Sequence, residues 1–245
     1  MLEEIRKVRL EKLEKIKARG FEVYPAVSDR THEIQKLIAD FGSLESSQNT
    51  VVIAGRVMSL RGQGAVVFCD LFDGTARFQI LVKKDSLPED TFEFYKEVVD
   101  IGDFIEVSGT LFVTKTGQQT LEVKNWKMFS KSLLPLPEKW HGITDEEERL
   151  RKRYLDILTS EDLPDRFRKR SAFWNTIRSY LLEKGFIEVE TPVLENTTGG
   201  ADARPFVTHH NALDIDVYLR ISAGELWQKR LMAAGFPKTF EIGRA

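Results

Sequence analysis

The sequence predicts a mixed β and α+β chain, in which a five-stranded barrel precedes a segment of helices and short strands. Between residues 51 and 129, short β-rich runs recur around the turn dipeptides Asp73-Gly74 and Thr116-Gly117. Residues 133–137 hold two prolines and break that pattern, marking a boundary. Beyond it, from Arg166 to Lys184, Phe167, Trp174, Ile177 and Leu181 fall on one helical face. A chain of 245 residues with 42% hydrophobic content has room for two domains and a sizeable core.

Taken in order, the first twenty residues carry Arg6, Lys7, Arg9, Lys12, Lys15, Lys17 and Arg19 against Glu3, Glu4, Glu11 and Glu14. Leu2, Ile5, Leu10, Leu13 and Ile16 recur at helical spacing, so this is a basic amphipathic helix. It either packs its stripe on its own domain or touches an RNA backbone, and the two roles are compatible. After Gly20 and Tyr24-Pro25 a second short helix is expected at 32–41, and 42–50 is polar enough for a linker. Strands are expected at 51–60, 65–72, 77–83, 104–114 and 120–129, with a helix at 89–99 after the third. Five strands with a helix in that place is the order of an OB-fold barrel. The expected organisation is a helical segment at 1–49, the barrel at 50–131, a linker at 132–160 and a second domain at 161–245. No internal repeat or low-complexity segment interrupts it.

Period-two alternation sorts the second and third strands into faces. Val67, Cys69 and Leu71, with Phe78, Ile80 and Val82, fill the barrel, leaving Phe68, Asp70, Arg77 and Gln79 outside. An aromatic ring beside an amide and a cation is what single-stranded RNA requires: a platform for a base, a reader for its edge and a charge for phosphate. Surface aromatics also occur singly with no such role.

In the second half, Gly185 sits where a left-handed helix stop belongs. Phe186, Val189 and Thr191 suit a pleated strand, and Pro192 ends its ladder. A strand at 217–222 leads to a helix at 225–234 that opens with Glu225, an acid the helix dipole favours. Adjacent histidines on a strand point to opposite faces, so His209 and His210 make a poor joint metal site and suit structural or edge roles.

Composition closes other classes. No apolar run approaches the roughly 18 residues of a membrane span, and the charged start lacks a signal-peptide centre, so a cytoplasmic protein without membrane contact is expected. Cys69 is the single cysteine, which excludes an intrachain disulfide and a cysteine zinc site. A formal charge of −2 argues neither for nor against nucleic acid.

The run Gly-Phe-Ile-Glu-Val-Glu-Thr-Pro at 185–192 resembles motif 1 of the class II aminoacyl-tRNA synthetases, a helix-plus-strand dimerisation element. Gly199-Gly200-Ala201-Asp202-Ala203-Arg204-Pro205-Phe206, Thr208-His209-His210-Asn211 and Tyr218-Leu219-Arg220-Ile221-Ser222 resemble the bacterial-type lysyl-tRNA synthetases rather than their aspartyl or asparaginyl relatives. The linker string Pro135-Leu136-Pro137-Glu138-Lys139-Trp140-His141-Gly142 is similar too, so the resemblance covers essentially the whole chain.

The resemblance implies a class II catalytic domain built on an antiparallel sheet, incomplete within these residues, and a homodimer formed through Gly185, Phe186, Glu188 and Pro192. It implies that Phe68 and Gln79 grip the central uridine of an anticodon. Arg61, in a neighbouring loop, helps hold it, and Gln118 stands where many family members carry a glutamate that contacts the anticodon. Gly200 and Glu225 are implied lysine ligands. Glu225 matches through Glu225-Leu226-Trp227-Gln228-Lys229-Arg230-Leu231, although Ala223-Gly224 replaces the proline usual before it.

The implied activity is that of a lysine–tRNA ligase acting on lysine, ATP and tRNA(Lys) with Mg2+. The final residues, 240–245, resemble the opening of motif 2. The motif 2 core and motif 3 lie outside the sequence, which places the catalytic groups and metal sites downstream and makes this chain inactive alone. The alternatives are a truncated tRNA-binding or dimerising protein without ligase activity, and an aspartyl- or asparaginyl-tRNA synthetase relative.

Overall fold

The computed structural model describes residues 2–137, 142–160, 162–197 and 202–243. They fall into two compact units, Met1–Glu148 and Arg149–Ala245. Among the described residues no helix is long and apolar enough to cross a membrane.

The first unit begins with helix α1 (Leu2–Ala18), which has Glu3 and Glu4 in its first turn and Lys15 and Lys17 in its last, matching the helix dipole. It buries Leu13 and Ile16 and, unexpectedly, Arg9. The Arg9 guanidinium donates to the carbonyls of Ile101, Ser132 and Leu134 at 3.2, 2.9 and 3.0 Å. Lys12 pairs with Asp100, Lys15 with Glu97 and Arg19 with Asp90. Much of the basic face thus packs onto its own domain.

Helix α2 (Ile34–Ala39) is followed at once by α3 (Phe41–Ser47), where the composition suggested a linker. Phe41 supplies the missing reason: it is buried, with its ring 6.3 Å from that of Phe78. The hydroxyls of Ser43, Ser46 and Ser47 donate to carbonyls three or four residues back, so serines that read as loop are satisfied within the helix.

Strands β1 (Val51–Gln63), β2 (Val66–Phe72), β3 (Arg77–Lys83), β4 (Phe104–Val113) and β5 (Gln119–Ser130) close a barrel in the order β1-β2-β3-β5-β4. The β3–β5 pair is parallel and the others are antiparallel. Helix α4 (Glu89–Val98) lies between β3 and β4, where a helix at 89–99 was expected, and adds Phe92, Tyr95 and Val98 to the core. The inward set Cys69, Leu71, Phe78, Ile80 and Val82 is buried, and Val67 packs partly buried against it. Burial pushes the Cys69 thiol up to about 12, leaving it a small apolar core residue. At Gly109, beside a register shift in the β4–β5 pair, an added Cβ would lie 1.9 Å from the Glu122 carbonyl oxygen, so only glycine fits.

The unit boundary cuts α5 (Glu146–Arg151), and the second unit continues with α6 (Arg153–Thr159) and the long α7 (Leu163–Glu183), which starts three residues before the apolar face suggested and has Pro164 in its first turn. Gly185, at φ 79°, ends α7, with its own N–H bonded to Leu182 and that of Phe186 to Leu181. Two small sheets follow. The first pairs β6 (Ile187–Glu188) in parallel with β10 (Thr239–Phe240), and the second sets β7 (Leu194–Glu195), β8 (Val207–His210) and β9 (Ile215–Leu219) in antiparallel order β7-β9-β8. Helix α8 (Glu225–Ala233) precedes β10.

Two strand expectations are corrected. The run from Phe186 to Thr191 yields only the two-residue β6, because Thr191 turns to bond Glu241 and Arg220. The strand expected at 217–222 lies at Ile215–Leu219, because the β8–β9 hairpin turns just before it, with Asp214 at φ 52°, and the Arg220 side chain goes to Glu241.

Candidate nucleic-acid interface

Four positions singled out from sequence, Arg61, Phe68, Gln79 and Gln118, line one groove on the outside of the barrel. Strand register brings three of them together. Arg61 of β1 pairs with Phe68 of β2, Phe68 pairs with Leu81 of β3, and Gln79 lies two residues along β3 on the same face. The β4–β5 turn adds Thr114, Lys115, Thr116 and Gln118, and Phe112 joins Phe68 and Leu81 in the apolar lining. The cavity is about 570 Å³, within the roughly 300–1,000 Å³ of typical ligand sites.

Arg61 was expected in a loop. It stands instead in β1, which continues as a hairpin through Gly62↔Val67 and Gln63↔Val66. Its side chain is 62% exposed and its guanidinium reaches Asp70 at 3.3 Å, a contact weak enough to leave it available to a phosphate. Arg77 is exposed at the far end of β3 and does not line the groove. The turn is fixed by a backbone bond from Thr114 to the Gln118 carbonyl at 3.0 Å, by a Gln118 N–H bond to the Thr114 hydroxyl at 2.9 Å, and by Gly117 at φ 83°. The Gln118 side chain is exposed. Gln79 donates from Nε2 to the Thr120 hydroxyl at 2.8 Å. Deeper along the same strands, Lys124, Ser86 and Lys83 bond Glu122 and hold its carboxyl at about 2.

In the second unit, Glu188 of β6 accepts both its bonds from Arg178 Nε, at 3.0 and 2.8 Å, tying α7 to the strand that follows it. That hydrogen bond, with the carboxylate's charge, raises the arginine. Phe186 lies under the Lys238 ammonium, and Pro192 follows the bonded Thr191. Glu225 opens α8 and pairs with Lys229 at 3.1 Å with its side chain 45% exposed, the geometry of a helix-start acid with an i,i+4 partner. Gly224 before it adopts φ 71°, and a Cβ there would meet Glu241 Oε2 at 2.6 Å. Gly200 lies outside the described residues. His209 contacts Asp216 through Nδ1 at 3.0 Å and Asp214 through Nε2 at 3.3 Å, an edge arrangement. Among the described residues no group of three or more His, Cys, Asp or Glu side chains is placed to hold a metal.

Sequence reasoning missed one buried cluster. Arg220 donates to Glu241 at 2.6 Å and to the Thr191 hydroxyl at 2.9 Å, and Thr191 in turn donates to Glu241 at 2.6 Å. The Arg220 and Glu241 side chains are only 7% and 6% exposed. Burial alone would push the Glu241 carboxyl up, but the bonds from Thr191 and Arg220 outweigh it and hold the group below its ordinary value. Residues 220 and 241 stand far apart in sequence, and no local pattern signals their contact.

Comparison with known proteins agrees with this architecture. Residues 51–129 match the OB-fold nucleic acid binding domain, and residues 145–245 match the tRNA synthetases class II (D, K and N). The chain is 46% identical over 240 residues to a lysine–tRNA ligase of Dehalococcoides mccartyi, covering 96% of this chain and 48% of that protein. It is also 46% identical over 244 residues to one of Clostridium botulinum and 44% identical over 248 residues to one of Thermosipho africanus, covering 47% and 49% of those proteins. Residues 145–245 thus carry class II tRNA synthetase sequence. It spans about half the length of the curated relatives it matches. The groove lies on the OB-fold match, while Glu188, the Arg220–Glu241 pair and Glu225 lie within the class II synthetase match.

Proposed function

We propose that the groove is an anticodon-loop site and that the chain provides the RNA-reading part and the leading part of the catalytic domain of a lysine–tRNA ligase. The carrying observation is the convergence of Arg61, Phe68, Gln79 and Gln118 on one groove, although they span 57 positions of sequence (118 − 61). In this reading Phe68 stacks the central uridine of tRNA(Lys), Gln79 bonds its edge, Arg61 holds the backbone, and Gln118 meets a neighbouring base. Residues 50–131 act as the RNA-binding domain, 1–49 as a helical brace, 132–160 as a linker and 161–245 as catalytic sequence.

The reaction of this reading has two steps. The lysine carboxylate attacks the α-phosphate of ATP to give lysyl-adenylate and pyrophosphate. The terminal ribose hydroxyl of the tRNA then takes the lysyl group and releases AMP. Glu225 and Gly200 are assigned to the amino acid, and Gly185, Phe186, Glu188 and Pro192 to a homodimer contact. Exposed Phe173, Trp174 and Ile187 on α7 and β6 support an apolar partner face. ATP and Mg2+ enter through the family alone. We assign RNA binding to these residues and lysine-dependent ATP–pyrophosphate exchange to the whole ligase.

The test is titration of the purified chain with an anticodon stem-loop. Tight binding is expected for a central uridine, and Phe68→Ala should weaken it by about 1–3 kcal/mol through lost stacking while the barrel stays folded. Unchanged affinity in the variant would reject the site, and robust exchange by the chain alone would reject the division of labour.

A further inference from the structure

Gln79 can read a base edge only if its amide is held one way round, because flipping an amide exchanges its donor and acceptor. What holds it is a residue outside the groove. Thr120 of β5 is fully buried and lies directly opposite Gln79 in the parallel β3–β5 register. Its hydroxyl makes two contacts, one with Gln79 at 2.8 Å and one with the Gln118 carbonyl at 3.1 Å. A hydroxyl has a single hydrogen, and a carbonyl can only accept. The Thr120 proton therefore goes to Gln118, and the oxygen must accept from Gln79. That fixes the amide with Nε2 toward Thr120 and leaves Oε1 and the second N–H to bond elsewhere.

We infer that Thr120 is a positioning residue that sets the base preference of the groove by locking the Gln79 amide. This rests on the anticodon reading of the groove. Uracil offers a donor at N3 beside an acceptor at O4, and cytosine offers the reverse, an acceptor at N3 beside a donor at N4. A locked amide with its oxygen on N3 suits uracil and meets cytosine with acceptor against acceptor. An amide free to flip suits both. The preference for uridine thus depends on one buried hydroxyl that never touches the RNA. Gln118 is coupled to it, because the same carbonyl that takes the Thr120 proton also accepts the Thr114 N–H that closes the turn.

The experiment titrates the full 245-residue chain with stem-loops carrying uridine, cytidine or 3-methyluridine at the central position. Wild type should favour uridine over cytidine by roughly tenfold or more, as expected of a two-bond base contact. Thr120→Val should bring that ratio close to one, and Thr120→Ser, which keeps the hydroxyl, should preserve it. A purely structural role would weaken both loops alike, so an unchanged ratio in folded Thr120→Val overturns the inference. The 3-methyluridine loop, whose N3 carries no hydrogen, should bind wild type no better than cytidine. Binding equal to uridine would overturn the inference even if the valine variant failed to fold. If wild type has no uridine preference, or Phe68→Ala has no effect, the anticodon reading itself falls and takes the inference with it. A uridine preference that survives Thr120→Val removes the inference alone.

Discussion

The Lys131 ammonium lies 2.6 Å from the Asp103 carboxylate, and neither side chain reaches solvent. Lys131 also bonds Asp100 and donates to the Val98 carbonyl at 2.7 Å, so a single buried cation holds the α4–β4 loop against the chain leaving the barrel. Removing one partner of such a cluster strands buried charge. Lys131→Met should destabilise the first unit by about 3–5 kcal/mol in urea unfolding. A loss below about 1 kcal/mol would mean that the carboxylates protonate or find water at little cost.

Acid should weaken the barrel partly through Glu122. Its folded value of about 2 lies below the ordinary 4.5, so its contribution is present above 4.5 and is lost as pH falls from there toward 2. Its side chain is 21% exposed, and after allowing for solvent screening the contribution is about 1–2 kcal/mol. Glu122→Gln should lower stability at neutral pH by that amount and flatten the acid limb. Parallel curves for the two proteins between pH 5 and pH 2, on the order of that fall, would refute the assignment.

In the second unit Glu241 behaves with the same sign. Its carboxyl is held below the ordinary range, so the stability it contributes is present above that range and disappears as pH falls through the depressed value. Glu241→Gln takes the carboxylate from buried Arg220 and should cost about 3 kcal/mol at neutral pH. Thermal melting of wild type and variant, followed by near-ultraviolet signals of Trp174 and Trp227, measures it, and equal midpoints would count against a stabilising pair.

Gly109→Ala tests the barrel's closest backbone approach. A methyl cannot sit 1.9 Å from the Glu122 carbonyl, so β4 and β5 must separate there. The expected cost is at least about 1–3 kcal/mol, with weakened protection of the neighbouring amides in hydrogen exchange. Gly64→Ala, where an added Cβ meets nothing within 4 Å, should spare this pairing despite its strained φ of 63°. Equal effects at the two sites would show that backbone strain, not crowding, governs both.

The barrel was legible because its information is local. Alternation through Val67, Cys69 and Leu71 sorts faces with period two, and Asp73-Gly74 and Thr116-Gly117 mark turns. Helix α4 was legible from its own residues at 89–99, and Gly185 from its position after an apolar helical face. The misses share one cause, that contacts distant in sequence decided them. Helix α3 depends on Phe41 meeting Phe78, and the shortness of β6 depends on Thr191 meeting Glu241 fifty residues later. Thr120 could not be singled out because its weight comes from parallel pairing with Gln79, forty-one residues away. Glu225 was chosen by resemblance, and its exposed pairing with Lys229 is what helix physics alone supplies.

The anchoring of α1 through Arg9 has a consequence for how the protein is made. The helix leaves the ribosome well before its docking site, because the carbonyls that receive Arg9 come from residues 92, 123 and 125 positions later. At translation rates of roughly 5–20 residues per second, α1 waits on the order of ten seconds for its docking site. During that time a single helix gains little from packing and shows its Leu13 and Ile16 stripe to solvent or to neighbouring nascent chains. Completion of the barrel, rather than emergence of the helix, therefore sets the moment at which α1 is safe from proteases and chaperones.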